Sequence, residues 1–177
     1  MSRLKIAVNS ADHHLGNLNA AITLVEYGDF QCPHCKRAHA LIKRLLSERG
    51  KDLHFVFRNF PLTEIHQYAN NAAAAAEAAG KQGKYWEMHD LIFENQNNLN
   101  NEFLLSLALG LKLDMKKFIE DADSEEIQNK IELDFEGGVL SGVNGTPTFF
   151  VNGVRLSSYD ETYQSLLDAF LLESEAK

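Results

Sequence analysis

The stretch Ile22-Thr23-Leu24-Val25-Glu26-Tyr27-Gly28-Asp29-Phe30-Gln31-Cys32-Pro33-His34-Cys35 decides how this chain is read. Ile22 to Tyr27 is rich in β-branched and aromatic residues and reads as a buried strand. Pro33 suits the first position of a helix, where its missing N–H costs nothing. The helix predicted from Pro33 to Arg49 places Ala38, Leu41, Ile42, Leu45 and Leu46 at helical spacing, and Gly50 ends it. Leu53 to Phe57 reads as a second strand. Strand, helix and strand within this length predict a βαβ unit with parallel strands and a right-handed crossover.

Beyond Phe60-Pro61 the pattern turns helical. Helices are expected over Ile65–Ala79, Lys84–Glu94, Glu102–Leu109, Met115–Asp121 and Glu125–Phe135. The first contains the alanine-rich run Asn71–Ala79, stopped by Gly80, and alanine is the best helix former. Gly142 to Thr146 reads as a loop. Thr148–Val151 and Val154–Leu156 read as antiparallel strands joined by a tight type I′ turn at Asn152-Gly153. A last helix is expected over Glu161–Leu172. The fold class is α/β, with βαβ, a helical block and then ββα. Residues 1–61 and 142–177 form one domain, interrupted by a helical insertion at 62–141.

The chain has 177 residues, a net charge of -8 and two cysteines. A surface this acidic argues against nucleic-acid binding, which requires cations to displace phosphate counterions. No stretch suits a membrane span, and none at the N-terminus suits a signal peptide. The chain as given therefore reads as cytoplasmic, and an exported location requires a leader outside it. Two cysteines three positions apart exclude a disulfide framework, and so short a closed loop stabilises little. Chemistry is the better reason for the pair.

Two thiols at i and i+3 opening a helix can close a disulfide with little movement. The helix N-terminus also presents unpaired N–H groups and a dipole that favour an anion at Cys32. Cys32 is expected to be the exposed nucleophile. Cys35, a turn further in, is expected to resolve the mixed disulfide. His34, between them, either stabilises the thiolate, which makes the disulfide more oxidising, or is a solvent-exposed linker residue. Glu26 sits six positions before Cys32 in an apolar strand. Buried, it would have a raised pKa and could exchange a proton with Cys35; on a shorter strand it would face solvent. The apolar neighbours Leu24 and Val25 favour burial.

Other readings stay open from the residues alone. Cys32, Cys35 and His39 could offer three metal ligands, but no second Cys-x-x-Cys supplies a fourth. His13 and His14 precede the first core strand and read as surface residues. His54 either alternates outward or is a satisfied core histidine, and His66 and His89 fall on expected helices. Thr146-Pro147 enters a strand, where proline is unusual. By sequence statistics its bond is an ordinary trans one; a cis bond would leave backbone groups of Thr146 free to pair with a peptide.

Taken together, these stretches resemble the DsbA-like branch of the thioredoxin superfamily. The likeness is carried by Asp12-His13-His14-Leu15-Gly16, Leu24 to Cys35, Phe57-Arg58-Asn59-Phe60-Pro61-Leu62, Gln82 to Asp90 and Gly142 to Gly153. It covers nearly the whole chain. It implies a thioredoxin fold with a helical insertion, Cys32 as attacking thiol, Cys35 as partner, Glu26 as buried acid and Pro147 as a cis-proline. It also implies that Pro33-His34 gives the dipeptide of strongly oxidising members and that Thr146, before the proline, affects potential and substrate release.

The expected function is thiol–disulfide exchange with protein or peptide thiols and disulfides. The redox-active Cys32–Cys35 disulfide needs no cofactor or metal, and a redox partner protein or glutathione would regenerate it. The competing readings are a non-catalytic peptide-binding or chaperone module on the same fold, a cytosolic thioredoxin-like reductase, a metal-binding protein and a glutathione-dependent transferase.

Overall fold

The computed structural model describes residues 2–175. Five strands form one sheet: β1 (His13–Gly16), β2 (Ile22–Gly28), β3 (Leu53–Asn59), β4 (Thr148–Val151) and β5 (Val154–Arg155), in the order β1-β3-β2-β4-β5. β2 and β3 run parallel, joined by α1 (Pro33–Arg49), as the βαβ pattern predicts. The remaining pairings are antiparallel. The β4–β5 turn has Asn152 at φ 47° and Gly153 at φ 78°, the left-handed pair a type I′ turn demands.

Alternation along the strands sorts the sheet into two apolar faces. Ile22 and Leu24 of β2, Phe55 and Phe57 of β3 and Phe149 of β4 join the larger core, with α1 and α7 (Tyr163–Glu175). Val25, Tyr27, Val56 and Phe150 face the other way, packing with Phe60, Val143 and Phe135. Helix α1 turns Cys35, Ala38, His39, Ile42 and Leu45 inward, at the spacing of one helical face.

Helices α2 (Ala69–Lys81), α3 (Tyr85–Glu94), α4 (Asn101–Gly110), α5 (Met115–Ala122) and α6 (Glu125–Leu140) lie between β3 and β4. Three of them begin at side-chain caps: Asn100, Asp114 and Ser124 each accept a backbone N–H of the first turn.

Four details depart from the sequence expectation. Helix α2 begins at Ala69, because Asp29 captures the Leu62 N–H and the His66 ring at 2.8 Å each and holds the preceding segment as a turn. His66 is therefore not helical. Gly80 lies inside α2, where a Cβ would stand 3.2 Å from the His13 ring; the helix is closed instead by Gly83 at φ 73°. Helix α6 runs past Phe135, because Gly137 and Gly138 are its contact with the sheet. A Cβ on Gly138 would lie 2.7 Å from the Phe60 ring.

The fourth departure is β1. His13 and His14 are half-buried strand residues, not surface ones. His13 stacks on Tyr85 and bonds Glu77 at 2.7 Å; His14 meets the buried His54 at 2.8 Å.

Candidate active site

The site is built where β2 hands over to α1. Cys32 is the N-cap of α1 and Pro33 its first residue. The Cys32 thiol donates to the Thr146 carbonyl at 3.4 Å, across a Thr146–Pro147 bond that is cis. The motif and the proline loop, distant in sequence, thus meet at one sulfur. Cys32 is only 4% exposed, so the expectation of an openly exposed nucleophile is corrected: the proline loop lies over its sulfur. Cys35 is fully buried and accepts the Asp29 N–H at 3.4 Å.

The two thiols are chemically unequal. Cys32 is held down to about 5 by a hydrogen bond from Cys35, against the penalty of burial, with help from Thr146 and the backbone N–H groups of Cys35 and His34. The Thr146 hydroxyl is buried and has no hydrogen-bond partner. Burial drives Cys35 the opposite way, well above the usual thiol range. One group is thus ready as an anion and the other retains its proton.

Glu26 is 2% exposed, and its Oε1 has no hydrogen-bond partner. By strand alternation it shares the face of Leu24, toward α1, and it lies in register between Phe57 and Phe149. Burial first, and then the Cys32 charge, push its carboxyl up to about 8. Its charge is felt at Cys35. Gly28 is required beside it, because a Cβ there would sit 2.4 Å from the Phe57 ring and 3.2 Å from Glu26 Oε1.

His34 is half-exposed, and its Nδ1 lies 2.5 Å from Glu161 Oε1. Pro147, Thr146, His34, Tyr159, Glu161 and Arg155 line an open cleft of about 370 Å³ beside the thiols. His39 is not a third ligand with the cysteines. It turns to Asp90 at 2.9 Å, next to Phe93 and His89. Lys43 occupies the other Asp90 oxygen at 3.1 Å.

Three neighbours of the site have no signature in the sequence. Gln96 donates to the Phe30 and Cys32 carbonyls at 2.8 and 2.9 Å, from 64 positions beyond Cys32. Tyr159 packs edge-on against Phe149, and its hydroxyl is buried without a partner. Glu161 stands 127 positions from His34. Gln96 arrives from the segment between α3 and α4, and Tyr159 and Glu161 arrive after the chain returns through β4 and β5.

A thiol pair at the start of α1, facing a cis-proline on this sheet, defines a thioredoxin-type protein. A family model described as thioredoxin matches residues 8–169, and the chain belongs to that family. Its fold is that of the DsbA-like branch. It is similar to a thioredoxin-like oxidoreductase from Silicibacter pomeroyi DSS-3, with TM-score 0.81 and 26% identity over 96% of this chain and 95% of that one. It is similar to oxidised BdbD from Bacillus subtilis, with TM-score 0.83 and 23% identity over 98% of each chain. It also matches alpha-DsbA1 from Wolbachia pipientis, with TM-score 0.82 and 23% identity over 98% of this chain and 96% of that one.

By sequence, the chain is 46% identical over 144 residues to Na(+)/H(+) antiporter NhaA 1 of Salinispora arenicola (strain CNS-205). That match covers 81% of this chain and 22% of the antiporter. A match to the NhaA antiporter of Herminiimonas arsenicoxydans is 41% identical over 160 residues, 89% of this chain and 25% of that protein. The chain thus spans about a quarter of the length of the curated relatives it matches. Among the described residues, no helix is long and apolar enough to cross a membrane.

Proposed function

We propose that this protein is a thiol–disulfide oxidoreductase of DsbA type, exchanging disulfides with protein or peptide substrates through Cys32 and Cys35. The observation that carries the reading is the unequal thiol pair: a Cys32 sulfur at a helix N-terminus against the Thr146 carbonyl, and a buried Cys35 behind it. In the reducing direction the Cys32 thiolate attacks a substrate disulfide. One Cys32–substrate S–S bond forms, and the other substrate sulfur leaves as a thiolate. Cys35 then passes its proton to an ionised Glu26 and attacks Cys32, which closes the Cys32–Cys35 disulfide and releases the second substrate thiolate. Oxidation of a dithiol substrate is the same sequence reversed.

In this reading Pro33 and His34 tune the pair, and Thr146 and Pro147 form the surface on which an extended substrate lies. The disulfide itself is the redox centre, and no further cofactor takes part. A partner protein or glutathione resets it. An oxidising compartment suits a strongly oxidising pair. The likeness to NhaA antiporters supports a companion reading, in which the matched quarter of those proteins is a thiol-exchange module of the same kind and ion exchange belongs to the remainder.

Equilibration of the purified protein with glutathione buffers, with Cys35→Ala as control, tests the proposal. A potential near -120 mV marks an oxidant and one near -270 mV a thioredoxin-like reductant. Cys32→Ser is expected to abolish turnover in insulin reduction or peptide oxidation. Turnover that survives this change overturns the reading, and a pair that forms no disulfide at any poise leaves the peptide-binding module in its place.

A further inference from the structure

Pro147 divides the ground beside the thiols into two lobes. One is the cleft of about 370 Å³ that reaches His34 and Glu161. The other, of about 400 Å³, opens toward Ser2, Leu156 and Ser157. Pro147, Thr148, Arg155 and Tyr159 line both lobes. An extended peptide that crosses Pro147 through both lobes therefore passes Arg155.

Arg155 is fixed there by neutral groups. Its Nη1 donates to the Gly142 carbonyl at 2.8 Å and its Nη2 to Asn144 Oδ1 at 3.3 Å. These are its side-chain partners among the described residues, and neither is a carboxylate. A guanidinium carries several further N–H donors, which remain for an anion. Glu161, the carboxylate that lines the cleft, gives its Oε2 to Arg37 Nε at 2.9 Å. The charge of Glu161 is thus matched within the protein, and that of Arg155 is not. Contacts to a carbonyl and an amide need no cation, so tying down the segment before Pro147 does not account for the charge.

The way from Arg155 to the reacting sulfur is short. Asn144, which holds the guanidinium, stands two residues before Thr146, whose carbonyl receives the Cys32 thiol. Two residues of extended chain span about 7 Å. A substrate side chain a few residues from the cysteine joined to Cys32 therefore reaches Arg155. A carboxylate meets a guanidinium through two parallel N–H···O bonds, a match that a neutral amide or an ammonium does not give. We propose that Arg155 is a specificity-determining residue of the cleft, selecting peptide substrates that carry a carboxylate within three residues of their reacting cysteine. This proposal rests on the oxidoreductase reading and names its substrate class. The net charge of -8 disfavours acidic peptides as they approach, whereas Arg155 favours them on contact.

The test uses two-cysteine peptides that differ only by Glu, Gln or Lys, placed in turn at each of the three positions on either side of the reacting cysteine. The protein oxidises each dithiol peptide to its disulfide while its own pair is reduced, and oxidised glutathione resets the pair. At the placement that meets Arg155, kcat/KM is expected to be about fivefold higher for Glu than for Gln, carried by KM and weakened by salt, with Lys below Gln. Arg155→Gln should bring the ratio to unity, Arg155→Lys should keep part of it, and Arg155→Glu should reverse the order of Glu and Lys. Loss of the contacts to Gly142 and Asn144 alone would slow all the peptides alike and leave their ratios unchanged. No preference at any placement in the wild type, or a preference that survives Arg155→Gln, overturns the proposal. The oxidoreductase reading fails separately, if the wild-type pair forms no disulfide. In that event the affinities of the same peptides with serine in place of cysteine, read by calorimetry, still test Arg155: the same order of Glu, Gln and Lys sustains the selection, and equal affinities overturn it.

Discussion

One turn of helix separates the sulfur that carries negative charge from the sulfur that does not. Cys32 has the N–H groups of a helix end and the Thr146 side chain for its anion; Cys35 is buried with Cys32 and the Asp29 N–H as polar neighbours, and Glu26 Oε1 is buried with no hydrogen-bond partner. The cost is concentrated at Glu26, whose carboxyl titrates near 8 in the fold against 4.5 when free. The folded protein thus holds a proton that the unfolded chain releases. The associated stability is complete below pH 4.5 and is lost as pH rises through 8. In the oxidised protein, where no Cys32 thiolate forms, burial still acts on Glu26. Glu26→Gln should flatten the decline. The gap between the two proteins at pH 8 and above is expected to be about 5 kcal/mol at most, from 1.36 kcal/mol per pKa unit. Urea unfolding of the oxidised proteins at several pH values checks it; parallel pH profiles would show that Glu26 carries no buried proton.

At the scale of elements, β2 carries both the sheet and the site, and its last residue is as constrained as its acid. Gly28→Ala would drive a methyl group to 2.4 Å from the Phe57 ring. Because that ring is fully buried, the change is expected to cost about 1–3 kcal/mol, read as a lowered urea midpoint. Strand β2, helix α1, strand β3 and the β4–β5 turn were legible from sequence because each has its own period or turn chemistry. Strand β1 was not: His13-His14-Leu15-Gly16 has no alternation, and it is a strand because β3 offers it an edge. The delayed start of α2 was hidden for a related reason, since the contacts of Asp29 with Leu62 and His66 span more than thirty positions. The thiols, Glu26 and the proline stood out locally, whereas Tyr159, Glu161 and Gln96 have meaning only after folding.

Across the whole molecule, a buried polar strut ties the sheet to the helices between β3 and β4. Glu77 of α2 accepts from Asn59 of β3 at 2.7 Å and meets His13 of β1 at 2.7 Å. Asn59 continues to Asp134 of α6 at 3.1 Å, and Lys130 closes the chain of contacts. We propose that 62–141 is an insertion held to a 1–61 and 142–177 body by apolar packing and by this strut. Glu77→Ala leaves one Asn59 amide N–H without its partner and is expected to cost about 1–3 kcal/mol, seen as lowered hydrogen-exchange protection in both the sheet and α2. Loss confined to α2 would show that the strut couples nothing. Helix α2 adds a different constraint. Ala72 to Ala76, Ala78 and Ala79 are all buried, with α3, α4, α5 and α6 gathered around them. The middle of the helix, Ala72 to Ala79, is buried on every side and has no tolerant face. Along this segment variation is filtered by volume rather than by polarity, so the stretch of plainest composition in the chain is also the one with the least room to drift.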